Sequence, residues 1–97
     1  MKYELTTETV KLRSKTLYRI KALKDFGSVI AGELGGFIES DNNLSHSGTA
    51  WVSGTAQVSG NAKVSGNAKV SGTAQVSGNA QVSGTAWVYG DALVSNK

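Results

Sequence analysis

The chain of 97 residues contains no cysteine and a single histidine. Without cysteine there is no disulfide and no thiolate metal site, and one histidine among scattered carboxylates predicts no metal centre. No stretch reaches the roughly 18 consecutive apolar residues that cross a membrane. The opening residues, MKYELTTE, lack the apolar core of a signal peptide. Together these absences favour a single cytoplasmic domain that makes no membrane contact.

Charge is also sparse, with a net charge of +3, and it is concentrated in the first forty residues. One run stands out because no acidic residue interrupts it: Lys11, Arg13, Lys15, Arg19, Lys21 and Lys24. Such a run could form a surface for nucleic acid or for an acidic partner. It could also be the solvated face of a small sheet in which lysines protect the edge strands. The low net charge favours this second interpretation.

The most ordered feature is a six-residue phrase that repeats eight times without interruption from Gly48 to Ser95. The copies read GTAWVS, GTAQVS, GNAKVS, GNAKVS, GTAQVS, GNAQVS, GTAWVY and GDALVS. In each copy the Ala and the Val are two residues apart, so both point to the same side of a strand, and the variable residue between them points to the other side. A fixed hexad period therefore predicts a parallel β-helix with a narrow Ala and Val core.

The residues before the repeats predict short strands. Val10–Arg13 and Tyr18–Ala22 alternate apolar and basic side chains, and Tyr3 with Leu5 gives a weaker version of the pattern. A helix over residues 17–23 is the alternative, although no capping signal precedes it. Three glycines between residues 32 and 36 indicate a sharp or crowded backbone. We expect an antiparallel hairpin cap and a hinge over residues 1–40, and the repeat domain over residues 41–97.

The hexads resemble the hexapeptide repeat of left-handed parallel β-helices, in which three hexads complete one triangular coil. One departure is that Val is followed here by Ser, and once by Tyr89, where that repeat usually has Gly, Ala, Glu or Asp. The segments LYRIKALKDFG (17–27) and GELGGFIESDNNLSHSGTAWV (32–52) are similar to small phage- and prophage-encoded hexapeptide proteins. The resemblance implies an all-β, left-handed parallel β-helix and a viral or mobile-element origin, and it supplies no activity.

With three hexads per coil, residues eighteen apart stack at the strand spacing of about 4.8 Å. The variable positions then form three columns: Trp51, Lys69 and Trp87; Gln57, Gln75 and Leu93; Lys63 and Gln81. Two exposed indoles would bracket the Lys69 ammonium, with Tyr89 beside Trp87, as in interface hot spots and planar-ligand sites. The candidate binding residues are therefore Trp51, Lys69, Trp87, Tyr89 and Lys63. The alternative is that Trp51 packs under the hairpin and Trp87 packs against a neighbouring subunit.

His46 is the one candidate for a catalytic base. Counting back in sixes from Val52 puts His46 at an inward position of an incipient coil. The resemblance to hexapeptide acyltransferases implies a histidine at a subunit boundary with a loop that protrudes from the coil. No loop interrupts the eight hexads, so a structural or end-capping histidine is the favoured interpretation.

The last repeat carries no evident cap residues, and an uncovered coil exposes strand edges and core. We therefore expect a homo-oligomer, either a trimer or an end-to-end dimer. The functional hypothesis is a non-catalytic phage-type protein, without cofactor, that binds and blocks a host protein such as a defence component. Two alternatives stay open, namely sequestration of a nucleotide ligand between subunits, with Lys69 or Lys63 at the phosphate, and an acyltransferase that uses His46.

Overall fold

The computed structural model describes residues 2–12 and 14–96, with Asn96 described by its backbone only. The N-terminal segment forms two antiparallel strands, β1 (Tyr3–Leu12) and β2 (Lys15–Ala22). Register partners include Tyr3 with Ala22 and Leu12 with Lys15, and a bulge lies between Leu5 and Thr9. The predicted hairpin is therefore confirmed, and the helical alternative for residues 17–23 is wrong.

The repeats form eight short strands that pair in parallel. They are β4 (Trp51–Val52), β5 (Gln57–Val58), β6 (Lys63–Val64), β7 (Lys69–Val70), β8 (Gln75–Gly78), β9 (Gln81–Val82), β10 (Trp87–Val88) and β11 (Leu93–Asn96). Each of the first five strands, β4 to β8, pairs with the strand three places further along the chain, which gives the columns β4-β7-β10, β5-β8-β11 and β6-β9. The parallel β-helix and its three columns are confirmed. Its left-handedness stays a prediction.

The core of the coil is made of the Ala and Val of each hexad, as the alternation predicts. Ala50, Ala56, Ala62, Ala68 and Ala74 and Val52, Val58, Val64, Val70 and Val76 have at most 1% of their surface exposed. Complete burial contributes roughly 1.5–3 kcal/mol for each Val. A column of small side chains keeps the walls of the coil close enough to exclude water.

Backbone hydrogen bonds connect each coil to the next. The N–H of Trp51 donates to Ala68 O at 3.2 Å, and that of Lys69 donates to Ala86 O at 3.0 Å. The corners require glycine: Gly48 has φ +70°, and a Cβ at this position would lie 2.5 Å from Gly66 O. The Ser-Gly step of the hexad is therefore a steric requirement of the stacked corners.

A strand of the cap is also the first strand of one solenoid column. β3 (Leu34–Ile38) pairs antiparallel with β2 and parallel with β5. The glycine-rich segment that we expected to be a hinge is thus mostly strand, and its glycines are crowded. A Cβ on Gly35 would lie 2.5 Å from Val52 O, and one on Gly36 would lie 2.7 Å from Ala56 O. Cap and solenoid consequently share one six-stranded sheet, β1-β2-β3-β5-β8-β11.

The cap meets the upward-pointing carbonyls of the first coil on all three sides. On one side the N–H groups of Phe37 and Glu39 donate to Ala56 O and Val58 O. On the second side, after a single 3-10 turn (Asp41–Asn43), Ser45 N–H donates to Val64 O, and the Asn43 amide donates to Gly60 O and Ala62 O. On the third side the Lys2 ammonium donates to Ala50 O at 2.8 Å. The upper end of the solenoid is therefore closed.

In the part of the chain that the structure describes, no helix is long and apolar enough to cross a membrane.

We expect Val70→Asp to prevent folding. Val70 is fully buried, and an unpaired carboxylate in an apolar core costs several kcal/mol, against the roughly 5–15 kcal/mol by which a domain is stable. Circular dichroism and thermal unfolding measure the result, with Gln75→Asp on the exposed side of the neighbouring strand as the matched control. A folded, soluble Val70→Asp protein would refute the inward assignment of the hexad Val.

Candidate functional site

The aromatic column has the expected register but not the expected exposure. Trp51 and Trp87 both pair with Lys69 across the β4-β7-β10 sheet. Trp51, however, is only 4% exposed, because Tyr3 and Phe26 of the cap pack edge-on against its ring at centroid distances of 6.4 and 5.3 Å. The prediction of two exposed indoles is therefore wrong for Trp51, which is a core residue beneath the cap.

Lys69 is partly buried, and its ammonium is directed towards the cap. Its Nζ lies 3.4 Å from the hydroxyl oxygen of Ser28, in the turn that carries Phe26. The cation–ring contacts of the described residues are Lys2 over Phe26 and Arg19 over Phe37. The expected sandwich of an ammonium between two indoles is therefore not formed.

Trp87 and Tyr89 form an exposed aromatic patch at the lower end of the same face. Trp87 is 65% exposed and Tyr89 is 64% exposed. Trp87 occupies the variable position of the seventh hexad, as Trp51 does in the first, and Tyr89 stands where the other seven hexads have Ser. We call these two residues the lower aromatic patch. Trp87 begins β10, and Tyr89 is the first residue after this strand.

Lys63 lies on a different face from the lower aromatic patch. It belongs to the β6-β9 column, where it pairs with Gln81. With His46, Asp41 and Ser65 it borders an open depression of about 290 Å³. The five predicted binding residues thus divide into a buried Trp51, a separate Lys63, and the group of Lys69, Trp87 and Tyr89.

The basic run does not form a single free surface. Arg19 lies over the Phe37 ring at 4.5 Å, with its Nε 2.9 Å from a Glu8 carboxylate oxygen and its Nη1 donating to Gly35 O. Lys15 is 3.5 Å from Glu39. Lys21 is partly buried opposite Glu4, whereas Lys11 and Lys24 are exposed. Arg13 lies outside the described residues. Two of these cations, Lys15 and Arg19, are therefore part of ion pairs within the chain.

His46 does not occupy the inward position that counting in sixes predicts. Leu44 takes that position, because it bridges to Val64 and is buried. The residues before the hexads follow a longer period: Phe37 pairs with Gln57 and Ile38 with Val58, twenty residues apart rather than eighteen. The extrapolation fails because Leu44 and Val52 are eight residues apart, whereas Val64 and Val70, with which they pair, are six apart, so two extra residues lie between Leu44 and Val52.

Both ring nitrogens of His46 are engaged. Its ring stacks on Tyr3 at a centroid distance of 4.1 Å. Nδ1 accepts a hydrogen bond from the Lys2 backbone N–H at 3.2 Å, and Nε2 lies 2.9 Å from Asp41 Oδ1. In this arrangement Nε2 carries the proton, and the lone pair of Nδ1 is already used. His46 therefore has no free lone pair with which to accept a proton from a substrate.

Two buried polar residues of the cap were missed by sequence reasoning. Lys2 is 1% exposed, and its ammonium hydrogen-bonds the carbonyls of Ala50, Ser47 and Gly48. Asn43 is equally buried, and its Oδ1 accepts from the backbone N–H groups of Glu39 and Ser40. Their partners lie up to 48 residues away in sequence. No local pattern could have identified them.

A wider groove of about 460 Å³ runs between the tip of the hairpin and the β5-β8 face. It is lined by Leu12, Ser14, Lys15, Gln57, Ser59, Gln75, Ser77 and Gly78. The lining is mostly amide and hydroxyl groups, and the Lys15 cation at its edge is paired with Glu39. Among the described residues, no group of three or more His, Cys, Asp or Glu is placed to hold a metal ion.

Comparison with known families supports the repeat architecture. Residues 56–72 and 74–90 each match the model of the YdcK beta solenoid repeat. The chain is a β-solenoid repeat protein. Both matches lie within the hexads, so they concern the repeat and not the cap. No curated protein matches the chain.

We expect the free energy of unfolding to rise between pH 8 and 10. Burial, followed by the charge of Lys24, lowers the pKa of Lys2 from 10.5 to about 8. Within this window the unfolded chain keeps a proton on Lys2 that the folded chain has lost, so raising the pH favours the folded state. Below pH 8 both states are protonated, and Lys2 adds no slope.

Above pH 10 the trend should reverse because of Tyr3. Burial, and then the charge of Asp41 and a hydrogen bond to it, raises the pKa of Tyr3 above its usual 10.0. The unfolded chain then loses the phenol proton first, which favours unfolding. Denaturant titrations across pH 7–11 measure both limbs. Lys2→Met should remove the rise and keep the fall; a rise unchanged in Lys2→Met would contradict the assignment.

Proposed function

We propose that this protein is a non-catalytic, phage-type binding protein that works as a homo-oligomer in the host cytoplasm and blocks a host protein. The single observation that carries the proposal is the lower aromatic patch, Trp87 and Tyr89, exposed on the surface of the solenoid. Tryptophan and tyrosine dominate the residues that contribute most to protein–protein affinity. Adjacent exposed aromatic rings on a small protein mark an interaction site.

The shape around the lower aromatic patch supports a protein partner rather than a small ligand. Neither Trp87 nor Tyr89 lines the two depressions described above. Small-molecule sites are concave and enclose their ligand, whereas a protein partner can cover flat aromatic surface. Lys69 pairs with Trp87 in register, but its ammonium is directed towards Ser28 of the cap and lies away from this surface.

The chemistry of the candidate base supports a role without catalysis. The two nitrogens of His46 are taken up by Lys2 and Asp41, and its ring is stacked on Tyr3. A general base needs a free lone pair within hydrogen-bond reach of a substrate proton. The acyltransferase hypothesis would require this arrangement to open.

The choice of a host target comes from the resemblance of residues 17–27 and 32–52 to phage-encoded proteins. A small rigid protein of that origin, without a catalytic site, would act by occupying a surface that a host protein needs. A component of anti-phage defence is the specific candidate. Sequestration of a nucleotide is less well supported, because Trp51 is buried and cannot form one wall of a stacking site.

We expect Trp87→Ala and Tyr89→Ala to lose the partner in an affinity capture from host lysate. Truncating one hot-spot aromatic residue costs about 2 kcal/mol or more, which is roughly a thirtyfold loss of affinity. Gln81→Ala is the matched control, because Gln81 is exposed in the same coil but on another face. Mass spectrometry of the captured proteins identifies the partner, and titration with that purified partner measures the affinity.

Other results would select the alternatives. A partner captured equally by the wild type, Trp87→Ala and Tyr89→Ala would mean that the lower aromatic patch is not the binding surface. Stabilisation by a cyclic or linear nucleotide in a thermal-shift screen would instead support nucleotide sequestration. Acetyl-CoA turnover that is lost in His46→Ala would establish an enzyme and overturn the proposal.

A further inference from the structure

The groove between the hairpin tip and the solenoid is a second candidate site, separate from the lower aromatic patch. Its volume of about 460 Å³ falls within the roughly 300–1,000 Å³ that is usual for small-molecule sites. It lies over β5 and β8, whereas Trp87 belongs to the β4-β7-β10 column. The two surfaces therefore use different faces of the solenoid.

The floor of the groove consists of uncharged groups that both donate and accept hydrogen bonds. Gln57 pairs with Gln75 in parallel register, so their side chains leave the sheet at the strand spacing of about 4.8 Å. Ser59 and Ser77 line the groove beside them. A carboxamide offers two donor hydrogens and an acceptor oxygen, and a hydroxyl offers one donor with acceptor lone pairs. The floor therefore presents two carboxamides and two hydroxyls to one ligand.

Two of these floor residues are shielded from water. Ser59 is only 4% exposed. Gln57 is partly buried, and its Oε1 is buried without a hydrogen-bond partner among the described residues. A buried acceptor without a partner costs free energy, because folding has removed its water and supplied nothing in exchange. The last torsion of a glutamine side chain is broad, so a small rotation turns this oxygen towards the groove, where a ligand hydroxyl can donate to it.

The wall of the groove is connected to the floor through Glu39. One oxygen of this carboxylate, Oε1, accepts a hydrogen bond from the Gly60 N–H at 2.6 Å and lies 3.5 Å from Lys15 Nζ. Gly60 directly follows Ser59 of the floor, and Lys15 belongs to the wall together with Leu12 and Ser14. Glu39 therefore holds the hairpin tip over the β5-β8 face and sets the width of the groove.

The lining matches the chemistry of a sugar ring. A pyranose has hydroxyl groups around its rim, each of which donates and accepts, and C–H groups on its two faces. The rim is complementary to the carboxamides and hydroxyls of the floor, and a C–H face is complementary to the apolar Leu12 side chain. No aromatic ring belongs to the described lining, so a nucleobase would lack the stacking partner that it usually finds in proteins.

We propose that this groove binds a mono- or disaccharide. Gln57, Gln75 and Ser59 hydrogen-bond its hydroxyl groups, and Leu12 packs against its C–H face. The proposal goes beyond the blocking of a host protein, because it assigns a ligand to a face that the lower aromatic patch does not use.

A nuclear magnetic resonance titration tests the binding. The ¹⁵N-labelled protein is titrated at millimolar concentrations with maltose, cellobiose, lactose and N,N′-diacetylchitobiose. At least one of these sugars should give saturable shifts of the backbone amides of Ser59, Ser77 and Gly78, while the amide of Gln81 on the β6-β9 face stays in place. The absence of saturable shifts with all four sugars would overturn the proposal.

Glutamine variants test which side chains make the site. Gln57→Leu removes the carboxamide at nearly constant size and should weaken binding of that sugar about tenfold, or about 1.4 kcal/mol. Gln81→Leu is the matched control, because Gln81 occupies the same hexad position on another face and is exposed; its affinity should equal that of the wild type. Gln75→Leu, at an exposed position of the groove, tests the same prediction without touching a buried group. Unchanged affinity in both Gln57→Leu and Gln75→Leu would overturn the assignment.

A charged sugar separates recognition of hydroxyl groups from attraction of an anion to the basic hairpin tip. Lys15 lies at this tip, and so does Arg13, which is outside the described residues. Glucose should bind without a phosphate group, since the floor is uncharged. Binding of glucose 6-phosphate but not of glucose, with full affinity retained in Gln57→Leu, would identify an anion site and overturn the proposal.

The two proposals fail or succeed separately. Trp87→Ala should bind the sugar as the wild type does, and Gln57→Leu should capture the same host partner as the wild type. Loss of sugar binding in Trp87→Ala would place the sugar outside the groove and overturn this inference, with no bearing on the host partner.

Discussion

The structure depends on one interaction that is repeated from coil to coil. The backbone N–H of an odd-numbered residue donates a hydrogen bond to a carbonyl oxygen of the next coil along the chain. Trp51 N–H to Ala68 O and Lys69 N–H to Ala86 O are two rungs of this ladder. Each rung needs coils of equal length, inward side chains small enough for a narrow core, and glycine at the corners. The hexad provides all three. A ladder of this kind satisfies the coils that have a coil above and below them, and the first coil depends on the cap for its upper hydrogen bonds.

At the first coil, chemically different groups of the cap donate the hydrogen bonds that a further coil would otherwise supply. A strand supplies backbone donors on one side, the Asn43 amide helps on the second, and the Lys2 ammonium serves on the third. The cost is a buried lysine whose pKa is lowered to about 8, mainly by burial. The same cap covers Trp51 with Tyr3 and Phe26. Trp51 and Trp87 occupy the same position of the repeat, but Trp51 is a core residue beneath the cap, whereas Trp87 is exposed.

The sequence predicted the site unevenly, and the reason is physical. A period of six identifies which residues share a column, so the pairing of Lys69 with Trp51 and Trp87 was predictable. Exposure depends on what lies above and below a residue, and the cap residues that cover Trp51, Phe26 and Tyr3, come from distant positions in the sequence. The position of His46 was predicted wrongly for a related reason, because two extra residues between Leu44 and Val52 break the period of six before the first hexad.

The sequence by itself determined the repeat unit, its parallel stacking, the Ala and Val core and the hairpin before it, because side-chain alternation and glycine spacing are local properties. Only the tertiary structure decided that the two tryptophans have different environments and that both ring nitrogens of His46 have hydrogen-bond partners. It also decided that Arg19 pairs with Glu8 and lies over the Phe37 ring. These outcomes depend on how a non-repeating cap docks on a repeating coil, and docking brings together residues that no period relates.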